Sequence, residues 1–439
     1  MSTGIKKERR EAEQLKRLLV RTDERPLMIA VMAFQAACML LLAFKGDSLE
    51  WFSLLMSACL PLGTYYGLKL VKHYWPVDRA MYLLTAFLCA LSVILLRAVF
   101  SLPDKARMQA IYLIPGFSAL LIGIWLIRLL TGREALIKIA APLCLALMAL
   151  PLGFSTASAA RSWINLGVIQ FQPSELLKPA CVIVLAAGFT REKRFRGWIG
   201  WMIFGALMCG ILFLQRDLGA LLLYFLLTLA MFTVGTGKWR LSLLFLAVAA
   251  GLGALFVSMS RNVAGFGYIA TRIEIWKDPW NNAHEESRQI VQGLMSVSSG
   301  GLFGAGLGLS FARKVAVVGS DYIFAAVCEE FGMVPALSVM AVYLVLTVLG
   351  MRQAINARSR FHALTAFGCS FELISQALLI VSGNLNILPL TGVTLPFVSE
   401  GGSSLVGSMM MMGMILGVSS INAQDEYDDL MRLTSGKGI

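Results

Sequence analysis

Apolar runs of 18 or more residues recur from Leu27 almost to the end of this chain. Each is long enough to cross a hydrocarbon core of roughly 30 Å as a helix. Hydrophobic residues make up 57% of the sequence and charged residues only 15%, far from an ordinary soluble domain. No soluble fold could solvate so many such runs. The reading is an all-α integral membrane protein, a polytopic bundle of twelve transmembrane helices over 27–45, 51–71, 80–100, 108–130, 135–152, 176–190, 198–215, 218–236, 240–259, 321–350, 361–383 and 404–422. Residues 1–26 form a basic tail, 27–422 one transmembrane domain, and 423–439 a short polar tail. The charged first 26 residues lead into an apolar span with no small-residue cleavage site, so no cleavable signal peptide is expected.

A net charge of +12 suggests nucleic acid in a soluble protein; here the positive-inside rule accounts for it, and no nucleic-acid partner is expected. With the N-terminus in the cytoplasm, the tail and the inner connections hold about two-thirds of the Lys and Arg. Both termini are therefore expected in the cytoplasm. The eight cysteines fall within or at the edges of apolar spans, with no CxxC, and read as small core residues.

Three connections, all on the outer side in this orientation, are long or irregular: 153–175, 260–320 and 384–403. The first and third are semi-apolar and rich in Gly, Pro and Ser, and are expected to be re-entrant. Such backbone survives at membrane depth only where protein buries it or it lines a wet cavity. The third reads Leu388-Pro-Leu-Thr-Gly-Val-Thr-Leu-Pro-Phe-Val-Ser-Glu-Gly-Gly-Ser-Ser404. Pro389 and Pro396 interrupt helix, Gly401-Gly402 permits a tight turn or a close approach to ligand, and Ser403 or Ser404 can cap the last helix.

The run PLTGVTLPFVSEGGSS closely resembles the C-terminal signature of the SEDS proteins, the family of RodA, FtsW and SpoVE. Three further segments match in order. They are Ala160-Arg-Ser-Trp-Ile-Asn-Leu-Gly with Phe171-Gln-Pro-Ser-Glu, then Gln215-Arg-Asp-Leu-Gly, then Ser299-Gly-Gly-Leu-Phe-Gly-Ala-Gly-Leu-Gly308 with Ser320-Asp-Tyr-Ile-Phe-Ala325 and Glu329-Glu-Phe-Gly332. The resemblance covers 155–422. It implies a peptidoglycan glycosyltransferase of the bacterial cytoplasmic membrane, polymerising lipid II onto a nascent glycan strand with release of polyprenyl pyrophosphate on the extracytoplasmic side. It implies a class B penicillin-binding protein as partner, because this chain has no large soluble segment for a transpeptidase, together with other cell elongation or division proteins. It also carries the catalytic aspartate onto Asp321.

The residues agree with that chemistry. Asp321 ends the long loop and opens an apolar helix, where a carboxylate meets both water and a lipid headgroup. Burial raises a carboxylate's pKa toward the working pH, which suits a general base; a plain helix-dipole carboxylate is the bland alternative. The departing pyrophosphate needs positive charge, for which Arg161, Lys178, Arg216 and Arg272 face outward. Glu175 and Lys178 share a helix face, either as a structural ion pair or as substrate contacts. Asp217 reads first as an N-cap. Ser320, Thr391, Ser399, Gly401, Gly402 and Ser403 complete the candidate substrate contacts. Glu329 and Glu330 cannot both share Asp321's face, so at least one is structural. Trp276 and Trp280 can stack on a sugar or anchor the loop. His284-Glu285-Glu286 lacks metal-site spacing. No resident cofactor is expected, although a divalent cation, Mg or Mn, can bridge the pyrophosphate.

Relative to the family's usual pattern, two helices are added at the N-terminus (within 27–100), Gly319-Ser320 replaces His-Thr, Glu400 stands in place of Tyr, and 281–288 lacks a glycine-rich stretch. A lipid-precursor flippase and a non-catalytic scaffold are the competing readings. A flippase calls for broken helices leading to both faces; the irregular segments here lie on one.

Overall fold

The computed structural model describes residues 24–46, 49–132, 134–154, 162–165, 170–191, 197–260, 267–281, 287–315 and 317–434. Arg161, residues 1–23 of the basic tail and His284-Glu285-Glu286 lie outside them. Fifteen α-helices are seen among the described residues. The first nine are α1 Arg25–Ala43, α2 Trp51–Tyr74, α3 Arg79–Val99, α4 Asp104–Leu130, α5 Glu134–Phe154, α6 Pro173–Arg191, α7 Trp198–Leu214, α8 Leu218–Thr236 and α9 Trp239–Met259. They continue as α10 Gly267–Lys277, α11 Arg288–Ser299, α12 Ile323–Phe331, α13 Met333–Asn356, α14 Arg360–Asn384 and α15 Gly402–Thr434. Ten are long and apolar enough to cross a membrane, and α7 and the 139–153 part of α5 are shorter apolar helices.

Local sequence sets the helix ends. Asp78 caps α3, accepting from the N–H groups of Ala80 and Met81 at 3.0 and 3.3 Å. Glu50 caps α2 through Ser53 N–H at 2.9 Å and also pairs with Arg97 at 3.1 Å. Gly237, in the left-handed region at φ 72°, closes α8. The core centres on α3, α6, α14 and α15, which are buried over most of their length, whereas α9 is almost bare. The tightest packing is α4 against α15. A side chain at Gly413 would strike the Leu120 carbonyl, and one at Gly417 would sit 3.0 Å from Ile124 O. Small residues four apart let two backbones approach in this way where no hydrophobic effect drives helices together.

Two expectations are corrected. The span over 321–350 is two helices. Gly332, at φ 93° and ψ 172°, lies in a region open to glycine alone and separates α12 from α13. The break leaves the last carbonyls of α12 and the first N–H groups of α13 without helical partners. The glycine-rich run 300–308 supplies them. Ala305 and Gly306 N–H groups donate to Glu329 and Glu330 carbonyls at 2.8 and 3.2 Å, while Met333 and Val334 N–H groups donate to Gly301 and Leu302 carbonyls at 2.9 and 3.3 Å. Secondly, the tail expected at 423–439 begins as helix, because α15 continues to Thr434; Asp425 and Asp429 on it bind Arg358.

The 260–320 connection is itself folded, containing α10, α11 and a 3₁₀ turn at Ala312–Lys314. The 153–175 connection contains a two-stranded antiparallel hairpin, Ile164–Asn165 with Gln170–Phe171.

A methyl group at Gly332 would collide with the backbone of Leu302 and Gly304. Gly332→Ala is expected to destabilise the protein by at least about 1–3 kcal/mol from the backbone alone. Gly253→Ala, on open α9 with nothing near its Cβ, is expected to be neutral or stabilising. Thermal unfolding in lipid nanodiscs checks both; equal melting of the two variants would contradict the clamp.

Candidate active site

All three irregular connections meet at one end of the bundle. Gln172, just before α6, donates to Asp217 Oδ2 at 2.7 Å, and its N–H reaches Ser403 Oγ at 3.3 Å. Trp276 Nε1 donates to Asn386 O, and Asn386 Nδ2 to Trp276 O, both at 3.1 Å, tying α10 to the end of α14. Trp276 is thus an anchor. Glu400 N–H donates to Gly319 O at 2.7 Å, and Ser399 Oγ to Ser320 O at 2.7 Å, which locks the C-terminal signature onto the turn that carries Asp321.

Asp321 lies two residues before α12 and caps nothing there. Its own backbone is held by Asn384, whose Nδ2 donates to Asp321 O at 2.6 Å while its Oδ1 accepts from Ala325 N–H at 3.1 Å. The carboxylate faces Gly392, where even a Cβ would come within 3.6 Å of Oδ2. Gly392, exposed and at φ 72°, holds a left-handed turn beside the acid that favours glycine. Burial raises the Asp321 pKa from the ordinary aspartate value; the Ser320 hydroxyl and the Arg272 charge pull it part of the way back. Arg216, Arg272 and Asp217 all act electrostatically on Tyr268 of α10, so these groups face one region. Backbone strain concentrates here too. The four non-glycine residues with left-handed φ among those described are Arg216 (62°), Val317 (51°), Asn386 (55°) and Phe397 (67°), each in a turn of this end.

Several expected contacts turn out to be held by the protein itself. Asp217 caps α8 through Ala220 N–H at 3.0 Å, and burial raises its pKa. Ser399, fully enclosed, also accepts from Leu395 N–H at 2.8 Å. Gly401 N–H donates to Gln109 Oε1 at 3.3 Å, and Gly402 packs on the Tyr112 ring. Ser403 and Ser404 lie inside α15 and hold Gln172 and Thr394 rather than capping the helix. Glu329 and Glu330 are both structural. Glu329 accepts from Ser296 Oγ and Phe311 N–H, and Glu330 from Gly308 N–H and Ser310 Oγ. Thr391, next to Gly392 and half-buried, packs its backbone on Gly219, its carbonyl 2.8 Å from where a Cβ there would be.

Beneath the site lies a chain of buried polar groups. Thr394 accepts from Gln376 Nε2 through its carbonyl at 2.8 Å, and Gln376 Oε1 accepts from Lys178 Nζ at 2.7 Å. Lys178 is only 1% exposed and pairs with Glu175 at 2.8 Å and Glu372 at 3.7 Å. The Glu175–Lys178 pair is therefore structural, and Lys178 is enclosed within its own network. Glu372 and Gln376 did not emerge from the sequence as site residues, although a lone carboxylate in the middle of an apolar span is itself a signal. Gln172, Asn384 and Gly392 stood inside or beside quoted motifs without a role.

Comparison with known proteins settles the family. The sequence profile of the FtsW/RodA/SpoVE family, described as "Cell cycle protein", matches residues 78–424. The chain belongs to this family. Relatives include peptidoglycan glycosyltransferase RodA of Mycobacterium tuberculosis, 29% identical over 306 residues, which covers 66% of this chain and 62% of that one. Probable peptidoglycan glycosyltransferase FtsW of Coxiella burnetii is 30% identical over 288 residues, covering 63% of this chain and 76% of its own length. The fold is shared with the rod shape determining protein RodA of Thermus thermophilus (TM-score 0.55, 24% identity, 79% of this chain and 98% of that one). It is also shared with a chain from a study titled "Structural coordination of polymerization and crosslinking by a peptidoglycan synthase complex" (TM-score 0.65, 24% identity, 80% and 99%). The family match begins at residue 78, well before the motifs that start near 155, and leaves α1 and α2 outside it.

Replacing Lys178 by Met would leave Glu175 and Glu372 buried without their cation. A loss of about 3–5 kcal/mol is expected, because the remaining charges are uncompensated. Chemical or thermal unfolding measures it, and a stability within 1 kcal/mol of the unaltered protein would remove the ion-pair account.

Proposed function

We propose that this protein is a peptidoglycan glycosyltransferase that polymerises lipid II in the bacterial cytoplasmic membrane. On this reading both termini are cytoplasmic and the Asp321 end faces outward. The observation that carries the proposal is the setting of Asp321: a largely buried carboxylate, beside Gly392 and within electrostatic reach of Arg272. Family membership and the names of the relatives point the same way.

In the reaction, an acceptor sugar hydroxyl attacks the anomeric carbon of the donor. The bond from that carbon to the pyrophosphate oxygen breaks, the pyrophosphate leaves with the electron pair, and Asp321 takes the hydroxyl proton. Arg272 and Arg216 are the cations placed to meet the leaving group, Arg being suited to bidentate contact with phosphate. Among the described residues no three His, Cys, Asp or Glu side chains converge as a metal cage. A Mg or Mn ion would therefore be held chiefly by phosphate oxygens and water. Such an ion would neutralise the leaving group.

Crosslinking falls, on this proposal, to a class B penicillin-binding protein working with this chain among other elongation or division proteins. A flippase reading gains nothing from the structure, since the broken and strained segments gather at one end.

The test is lipid II polymerisation by purified protein, alone and with a candidate partner. Asp321→Asn and Asp321→Ala are expected to abolish product. The general base works ionised, so the rate should fall as pH falls through the raised Asp321 pKa. Arg272→Gln removes a charge that lowers that pKa and should move the acid limb to higher pH. Polymer from both Asp321 variants at the normal rate would sink the assignment, and an acid limb unmoved by Arg272→Gln would sink the coupling.

A further inference from the structure

α1 and α2 form a hairpin that joins the core mainly through α1 on α3; α2 touches α3 lightly and stands off α4. The gap is a cleft of about 550 Å³ between α2, α3 and α4, walled by Gly63, Gly67, Ala86, Ala90, Leu113 and Phe117. Its polar groups are few, and the main ones, Gln35 and Thr64, satisfy each other at 3.0 Å. Past Tyr66 and Leu70 the cleft opens onto an exposed patch at the end of α2, edged by Lys69, Lys72 and His73. All three are exposed. Neither lysine forms an ion pair among the described residues. Glu24, the carboxylate that Lys72 feels, is bound to Arg79 at 3.4 Å. This mouth is at the Tyr74 end of α2, opposite the catalytic end, because the other end of α3 brings Phe100 against Gly319.

An apolar slot that ends in unpaired cations matches an amphiphile with an apolar chain and an anionic head. A transmembrane helix about 10 Å across and 30 Å long displaces roughly 2,000 Å³ or more, which the slot cannot take. Residues 1–23 carry seven Lys and Arg against four Asp and Glu, a poorer charge match for a basic mouth than an anionic head. A zwitterionic lipid would fill the slot but gain little from the lysines. The geometry points to a phospholipid site: an anionic phospholipid of the leaflet opposite Asp321, one acyl chain between α2 and α4 and its phosphate on Lys69 and Lys72. Bound there, it fills the gap between the N-terminal pair and the family core.

Native mass spectrometry of the full-length purified protein tests this, with phosphatidylglycerol and phosphatidylcholine of identical acyl chains. At about fivefold per lysine, the unaltered protein is expected to retain phosphatidylglycerol roughly 25-fold over phosphatidylcholine. Lys69→Gln with Lys72→Gln should bring the two lipids level. Gly63→Leu projects into empty space, since nothing lies within 4 Å of its Cβ. It should reduce retention of both lipids while leaving the lipid-free melting temperature unchanged. Equal retention by the unaltered protein, or a preference that survives the lysine changes, would overturn the site. So would a Gly63→Cys variant that crosslinks to a second copy or to a partner's helix.

Discussion

A backbone N–H or C=O left bare in hydrocarbon costs several kcal/mol, and the architecture of this protein turns on how it avoids that cost where its helices break. The break at Gly332 is the decisive case. Two helix ends that would otherwise be unsatisfied are closed by the glycine-rich run 300–308, whose N–H and C=O groups serve α12 and α13 together. Glycine is required because the strands of backbone pass closer than a Cβ allows. Glu329 and Glu330 then pin the same loop from beneath. With that loop fixed, the turn carrying Asp321 is fixed; the 385–401 segment can lock onto it through Ser399 and Glu400, and the end of α14 through Asn384.

Two kinds of buried charge follow from this arrangement, and they differ in what they can do. Lys178, Glu175 and Glu372 neutralise one another deep in the bundle, with Gln376 relaying their position to Thr394. They hold the floor of the site in place. Among the described residues Asp321 has no such close partner: its neighbours are the Ser320 hydroxyl and the more distant Arg272 charge. A carboxylate that is desolvated yet uncommitted is the one able to take a proton. Glu400 and Lys105 pair at 2.6 Å beside Gly319, with the glutamate carboxylate lying where a Cβ at 319 would approach it.

Much of this was legible in the residues, for physical reasons that vary by element. Twelve apolar helices follow from run length, since span length is set by the bilayer. Asp217 as a cap and Glu175 with Lys178 as a pair follow from local spacing. The break at Gly332 was hidden because hydropathy continues unchanged across it; the Gly332 to Pro335 spacing was its only local mark. Ser399, Gly401 and Gly402 looked like ligand contacts because turn-forming residues serve both ligand approach and segment locking. Which of the two applies depends on Gln109 and Tyr112, some 290 positions away in sequence. Gln376 and Glu372 needed the packing of α6 on α14 before either had a role.

The central claim is that the breaks at one end build a catalytic site and not a passage. One vesicle experiment decides it, with purified protein and fluorescent lipid II, following glycan polymer and leaflet exchange of the lipid in the same sample. The account predicts polymer accumulating with lipid exchange no faster than in protein-free vesicles. Exchange of lipid II across the bilayer without polymer would contradict it.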